Sequence, residues 1–316
     1  MRIVFLGTPE FGVPSLKALV NAGYDVVGVF TQPDKPKGRG NKMQQSPVKE
    51  CALSLGIPVY QPVKIRIDGV EDLRNLKPDL CVTAAFGQIL SQEILDIPAI
   101  GTVNVHSSLL PKYRGSAPIN WAIIQGEERT GITTMMTDKG LDTGDILLQK
   151  EMDILPGETA EELTVRMAPL GAELLIETIR RLENGNCPRE KQNEAEMSYF
   201  PMLKKEMGEI DWRMTAHEIV CRVRGLTPWP GCYMLLDNGE TLKIWKAEEM
   251  ECEAMAPGTM ISADPKAGLV IAAGKNAVRI AELQAQGGKR MNAKDYLRGH
   301  PLTHQVSVKR EEENNG

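Results

Sequence analysis

The stretch 102–115, TVNVHSSLLPKYRG, carries the residue types best suited to chemistry in this chain. Asn104 and His106 alternate with Val103 and Val105, so an extended backbone sends both polar side chains to one face. An amide donor and an imidazole at the carboxyl end of an apolar strand can act together on one small carbonyl. The amide would stabilise an oxyanion and the imidazole would handle a proton. The plainer alternative is a satisfied core histidine beside a turn asparagine, since structural polar pairs are common. The loop that follows, Ser107 to Gly115, contains Pro111 and Gly115 and is expected to be irregular. Its backbone groups, with Lys112 and Arg114, either hold a flat, polar, anionic cofactor or are simply solvated.

Three further segments belong with that pair. In DKGLDTGDI (138–146), Gly140 and Gly144 bracket Leu141-Asp142-Thr143 in a tight loop before a strand. Asp142 either caps that turn or meets His106 in space and favours the charged imidazole. The segment GTPEFG (7–12) follows the first strand as a phosphate loop would. Pro9 and Phe11 stand where backbone must approach a pyrophosphate, so it is neither a dinucleotide fingerprint nor a P-loop. The segment QPDKPKGRGNKM (32–43) sets Lys35, Lys37, Arg39 and Lys42 against Asp34. Its Pro and Gly content predicts neither helix nor strand. It is either a solvated surface loop or a cationic loop suited to a phosphate-rich partner.

These residues need a frame. MRIVFLG reads as a buried parallel strand, 14–22 as a helix ended by Gly23, and 26–31 as a second strand, together a βαβ unit. The alternation continues with a helix over 47–55, strands at 59–60 and 80–85, a helix near 89–95 and a strand at 102–106. A helix at 118–125, strands at 130–137 and 146–153 and a long helix over 158–182 complete it. The pattern predicts an α/β fold with an open, mostly parallel Rossmann-like sheet, whose ligands bind at the carboxyl ends of the strands. Residues 186–205 are polar and irregular, as a linker would be. A helix at 215–223 and short strands follow, with Asn238-Gly239 marking a hairpin between 233–236 and 241–247. Strands at 258–262, 269–272 and 277–283 make the second domain a smaller β-barrel, OB-like. The domains expected are 1–188, a linker 189–205, and 206–316 with a frayed tail from Ser307.

Composition narrows the class. At 316 residues, 42% hydrophobic and 25% charged, the chain suits a soluble two-domain protein. No apolar run reaches the roughly 18 residues that span a bilayer. The start enters an apolar strand without the basic region of a signal peptide, which gives a cytoplasmic expectation. The six cysteines lack CxxC pairing and His partners, so no metal is expected and free, mostly buried thiols are. A net charge of −5 argues against indiscriminate nucleic-acid coating but leaves room for a local basic patch.

The sequence resembles the methionyl-tRNA formyltransferase family at GTPEFGVPSL, TQPDKPKGRGNK, SPVK, TAAFGQIL, NVHSSLLPKYRGSAPINWAI, GITTMMTDKGLDTGDIL and LTPWPG, in family order. The resemblance implies an enzyme that moves a formyl group from 10-formyltetrahydrofolate, as co-substrate, to the amino group of methionyl initiator tRNA. It needs no metal and no nicotinamide. It implies Asn104, His106 and Asp142 as catalytic residues and Ser108, Leu109, Leu110 and Pro111 as contacts to tetrahydrofolate. It also implies a loop near the tRNA acceptor end, with Lys35, Lys37, Arg39 and Lys42. The second domain is implied to contact tRNA as well. Residues 206–316 carry 14 Lys and Arg against 16 Asp and Glu, so that contact must be a patch. Lys289 and Arg290, with Lys294 and Arg298, beside a flexible Gln286-Gly287-Gly288 loop, are the expected site. A monomer is expected. The alternative is a folate-dependent formyltransferase acting on a small amine, such as glycinamide ribonucleotide or an amino sugar nucleotide.

Overall fold

The computed structural model of the chain describes residues 1–37 and 42–308. In chain order, β1 (Arg2–Gly7), α1 (Val13–Asn21) and β2 (Asp25–Phe30) form the first βαβ unit. A ribbon of β3 (Lys35–Lys37) and β4 (Lys42–Gln44) follows, then α2 (Pro47–Ser54), β5 (Val59–Tyr60), α3 (Ile65–Asp68) and α4 (Val70–Leu76). Next come β6 (Leu80–Ala84), α5 (Gln92–Leu95), β7 (Gly101–His106), β8 (Arg114–Gly115) and α6 (Pro118–Ile124). Strands β9 (Arg129–Met136) and β10 (Ile146–Asp153), helix α7 (Ala160–Glu183) and β11 (Tyr199–Phe200) end this part.

The main sheet has the order β10-β9-β7-β6-β1-β2-β5. Its five strands from β5 to β7 are parallel, and β9 and β10 close one side antiparallel. Ile3, Val4, Phe5 and Leu6 of β1 are wholly buried, because a central parallel strand is covered on both faces and must be apolar throughout. The chain leaves β1 toward β2 and returns on its other side at β6. Strand order therefore reverses at β1, the switch point at which such sheets open a crevice.

Local signals explain most helix ends. Ser46 caps α2, its Oγ accepting from the Lys49 N–H at 3.1 Å, and Pro47 sits in the first turn, where its missing N–H costs nothing. Several regions differ from expectation. The segment 32–43 is expected to form neither helix nor strand, yet β3 and β4 pair with Pro36 opposite Met43. Each strand is an edge only three residues long, and an edge tolerates a proline. The stretch 61–79, to which the sequence assigns no element, contains α3 and α4. They are too short for helical periodicity to show.

The later part is antiparallel, with helix α8 (Ala216–Gly225) followed by strands β12 (Cys232–Leu235), β13 (Thr241–Met250), β14 (Met260–Asp264), β15 (Gly268–Ala272), β16 (Ala277–Ala285) and β17 (Met291–Asn292), and then helix α9 (Ala293–Gly299). The sheet runs β12-β13-β16-β15-β14, with β17 added to β16. The turn at Asn238-Gly239 forms the expected hairpin, Gly239 having a φ of 83°. In α8, Ile219 and Val223 are buried four residues apart, and Thr215 and Glu218 make a reciprocal capping box. The stretch 286–288, expected to be flexible, is a tight turn closed by the Gly288 N–H on the Ala285 carbonyl at 2.9 Å. Ser307, expected to begin a frayed tail, donates its N–H to the Leu235 carbonyl at 2.8 Å; residues 309–316 lie outside the described ones.

By contacts the chain groups into two units. One contains Met1–Pro118, Arg129–Asp153 and Thr164–Phe200; the other contains Ile119–Glu128, Ile154–Leu163 and Pro201–Gly316. The division is thus not a single cut in the sequence. All six cysteines are free thiols, and burial pushes those of Cys81 and Cys232 up to about 12. Among the described residues no helix is long and apolar enough to cross a membrane, and no three His, Cys, Asp or Glu side chains gather as a metal site would.

Candidate active site

Strands β6 and β7 lie side by side with Thr83 in register with Asn104. Neighbours in register share a face, and the Thr83 hydroxyl donates to Asn104 Oδ1 at 2.8 Å. That bond fixes the amide, leaving Nδ2 as its donor end beside a cavity of 410 Å3. Two residues on, His106 lines the same cavity and is 6% exposed. Its Nε2 lies 3.1 Å from the Tyr113 carbonyl, which can only accept, so Nε2 carries the proton. Nδ1 is then the ring nitrogen free for proton work, and it lies 3.8 Å from Asp142 Oδ1. That separation is too long for a direct hydrogen bond.

Asp142 comes from the loop between β9 and β10. A Cβ on Gly144 would lie 1.7 Å from the Met136 carbonyl, so only glycine permits this path there, while one on Gly140 would lie 1.9 Å from Thr143 Oγ1 and displace that hydroxyl. Asp138 Oδ1 braces the turn, accepting from the Gly140 N–H at 3.0 Å and the Thr143 hydroxyl at 2.7 Å. Asp142 itself has a φ of 54°, in the left-handed region that costs a non-glycine residue of order 1–3 kcal/mol. Its Oδ2 accepts from the Gly115 N–H at 2.9 Å, which ties this loop to the one after β7.

The opposite wall is the loop after β6. Ala85 and Gly87 both have positive φ, and the turn brings Phe86, Gln88, Ile89 and Leu90 to the cavity. It is held from behind: the Thr8 hydroxyl donates to the Phe86 carbonyl at 2.9 Å, and Gln32 Nε2 to the Gly87 carbonyl at 3.1 Å. Gln88 is anchored too, accepting from the Ile65 N–H at 2.7 Å. Thus the GTPEFG and QPDK segments shape a wall.

The structure sorts the expected residues. Asn104, His106 and Asp142 converge on one cavity. Ser108, Leu109, Leu110 and Pro111 do not line it. The Ser108 hydroxyl donates to the Lys112 carbonyl at 2.8 Å, and Leu110 packs with Met135 and Ile146. Arg114, which the sequence offered to an anionic cofactor, is 3% exposed and gives two nitrogens to Glu194 at 2.7 and 3.0 Å. That bonding holds the Glu194 carboxyl below its usual range. Lys35 is exposed and donates to Gln32 Oε1 at 2.7 Å. Lys37 and Lys42 are backbone partners in the ribbon register, and Arg39 lies outside the described residues. Lys289 is exposed, and Arg290 pairs with Glu282 while its guanidinium sits 5.0 Å from the Trp245 ring centroid. Lys294 and Arg298 lie on α9. Sequence reasoning missed Thr83, Tyr113, Thr8, Gln32 and Gln192. For Thr83 a signal existed, a hydroxyl in an otherwise apolar strand; for Gln192, inside a polar run, there was none.

This crevice beyond the carboxyl ends of β6 and β7 in a mostly parallel sheet, with amide, imidazole and carboxylate converging, matches a known class. A family model described as formyl transferase matches residues 1–179, and one described as formyl transferase, C-terminal domain, matches residues 202–301. The methionyl-tRNA formyltransferase of Caldanaerobacter subterraneus subsp. tengcongensis is 52% identical over 305 residues, 96% of this chain and 98% of that one. The methionyl-tRNA formyltransferase of Ruminiclostridium cellulolyticum is 49% identical, over 96% of this chain and 97% of its own. The chain belongs to the methionyl-tRNA formyltransferase family. More distant structures share the fold. HypX from Aquifex aeolicus in complex with tetrahydrofolic acid has a TM-score of 0.64 at 17% identity; the match covers 97% of this chain and 51% of that one, so this chain spans about half its length. An N-formyltransferase from Helicobacter canadensis in complex with folinic acid and dTDP-3-aminofucose has a TM-score of 0.66 at 21% identity, covering 88% and 98%.

Proposed function

We propose that this chain transfers the formyl group of 10-formyltetrahydrofolate to the α-amino group of methionyl initiator tRNA. The observation that carries the reading is the convergence of Asn104 Nδ2, His106 Nδ1 and the Asp142 carboxylate on one cavity. A volume of 410 Å3 lies in the range of roughly 300–1,000 Å3 typical of small-molecule sites. Phe86, Ile89, Leu90 and Leu141 offer flat apolar walls for the fused rings, and backbone groups of the loops after β6 and β9 offer partners for their polar edge. Lys139 supplies a cation for an anionic tail. In this reading the 108–111 segment supports the site from behind.

The formyl donor supplies an activated carbonyl; the protein supplies the electrostatics. Asn104 Nδ2 donates to the carbonyl oxygen as attack by the amine turns it into an oxyanion. His106, in its charged form opposite Asp142, presents Nδ1–H to the same oxygen and then to the departing nitrogen. Asp142, through a water, takes the proton that the attacking amine loses. Donors preorganised for developing charge need no rearrangement at the moment of reaction, and removing one typically costs roughly a hundred- to thousandfold in turnover.

The test is formyl transfer from 10-formyltetrahydrofolate with methionyl initiator tRNA and glycinamide ribonucleotide offered together. Formylation of the tRNA alone is expected. Formylation of the nucleotide would keep the chemistry and overturn the acceptor, and formylation of neither would overturn both.

A further inference from the structure

One segment that the sequence reads as linker is built into the site. Residues 190–200 are fastened to the loop that carries Asp142 and to the loop that follows Asn104 and His106 on β7. At one end Glu190 exchanges two backbone hydrogen bonds with Ile146, at 2.8 and 2.9 Å, where the Asp142 loop enters β10. At the other, β11 pairs with β8, and Ser198 Oγ accepts from the Tyr113 N–H at 2.9 Å. Between them lies the side chain of Gln192. Its Nε2 donates to the carbonyls of Asp142 and Gly144, both at 2.8 Å, and its Oε1 accepts from Arg114 Nε at 2.9 Å. A guanidinium only donates and the two carbonyls only accept, so the amide has one orientation that satisfies all three. Glu194 in turn takes the remaining arms of Arg114, the buried cation that fixes the oxygen end of Gln192.

Asp142 needs such a hold. Its left-handed backbone persists only where the surroundings over-determine it. A relaxation there would swing the carboxylate away from His106, which it faces across 3.8 Å. Gln192 does not line the cavity and reaches no reacting atom, so whatever it contributes passes through Asp142.

We infer that Gln192 is a positioning residue for formyl transfer, holding the backbone of Asp142 so that its carboxylate faces His106, with Arg114 and Glu194 fixing the orientation of the Gln192 amide. The inference rests on the reading of Asp142 as catalytic. Three variants of the whole chain test it: Gln192→Ala, Gln192→Glu, which turns an oxygen toward two carbonyls, and Asp142→Asn. With tRNA and formyl donor varied in turn, kcat of both Gln192 variants is expected to fall by roughly ten- to a hundredfold, the scale of a small misplacement at a reacting centre, while both KM values stay near wild type. Gln192→Ala combined with Asp142→Asn is expected to be no slower than Asp142→Asn alone, because nothing remains to be positioned. A merely structural role would lower the melting temperature and multiply the two losses. Normal kcat in a folded Gln192→Ala, or multiplied losses in the double variant, overturns the inference. Should Gln192→Ala fail to fold, Arg114→Lys, which releases the amide oxygen but keeps the cation, serves in its place with the same double variant. If Asp142→Asn turns over normally, the catalytic reading itself falls. If Asp142→Asn is slow and Gln192→Ala is not, only the role of Gln192 does.

Discussion

At Asn104 a neighbouring hydroxyl decides which end of the amide meets the cavity. Thr83→Val removes that hydroxyl at nearly constant volume and frees the amide to turn its oxygen into the cavity. Turnover should fall, but by less than the roughly hundred- to thousandfold expected of Asn104→Ala or His106→Ala, which delete the acting groups. Steady-state rates of the three variants, with circular dichroism to verify folding, check that ranking. The cysteines give a second test at this scale. Burial raises Cys81 and Cys232 to about 12, which leaves a thiolate fraction of only about one in ten thousand at pH 8. Cys187 and Cys252 are partly exposed. A disulfide reagent at pH 8 should label the exposed pair first and leave Cys81 and Cys232 silent until the protein unfolds; rapid labelling of Cys81 in the native state would contradict the burial.

Elements show which parts of the site can be read ahead of the structure. Strand β7 was legible because alternation is a local property: Val103 and Val105 against Asn104 and His106 fixes a face without any partner. The loops were not. Gly115, read as a loop breaker, also has a φ of 100° and lies where a Cβ would come within 2.4 Å of the Phe200 carbonyl, a contact between residues 85 positions apart. Gly115→Ala should therefore destabilise by more than about 1 kcal/mol, and slow turnover as the N–H that holds Asp142 shifts; thermal melts and rates report each. The ribbon of β3 and β4 was missed for the same reason, since its root is set by distant partners. Lys49 Nζ holds Asp34 at 2.7 Å and Gln61 Nε2 holds it at 2.8 Å; these bonds, Lys49 first, lower the Asp34 carboxyl below its ordinary value near 3.8. A depressed carboxylate stabilises the fold above its unfolded value and loses that contribution as pH falls through the folded one. Asp34→Asn should thus lower the melting temperature at pH 7 and have progressively less effect below about pH 4, where the wild type also loses the pairing.

For the molecule as a whole, a net charge of −5 means that any phosphate-rich partner is met by local cations. Lys289 is exposed, whereas Arg290 is already engaged with Glu282 and Trp245. Lys289→Ala should weaken tRNA binding and lower the slope of log affinity against log salt by about one, with the KM for the formyl donor unchanged. An unaltered salt slope would remove Lys289 from the contact. The strap of residues 190–200 also bears on how such a gene can be divided. The match to the first family model stops at residue 179, and the polar run from 189 looks like a natural seam. Yet Glu190, Gln192, Glu194 and Ser198 lie beyond both points and grip the loop after β7 and the loop that carries Asp142. Recombination between relatives at that seam would give each catalytic half a strap that had diverged beside another enzyme's loops. The first junction that inherits the site intact falls after Phe200.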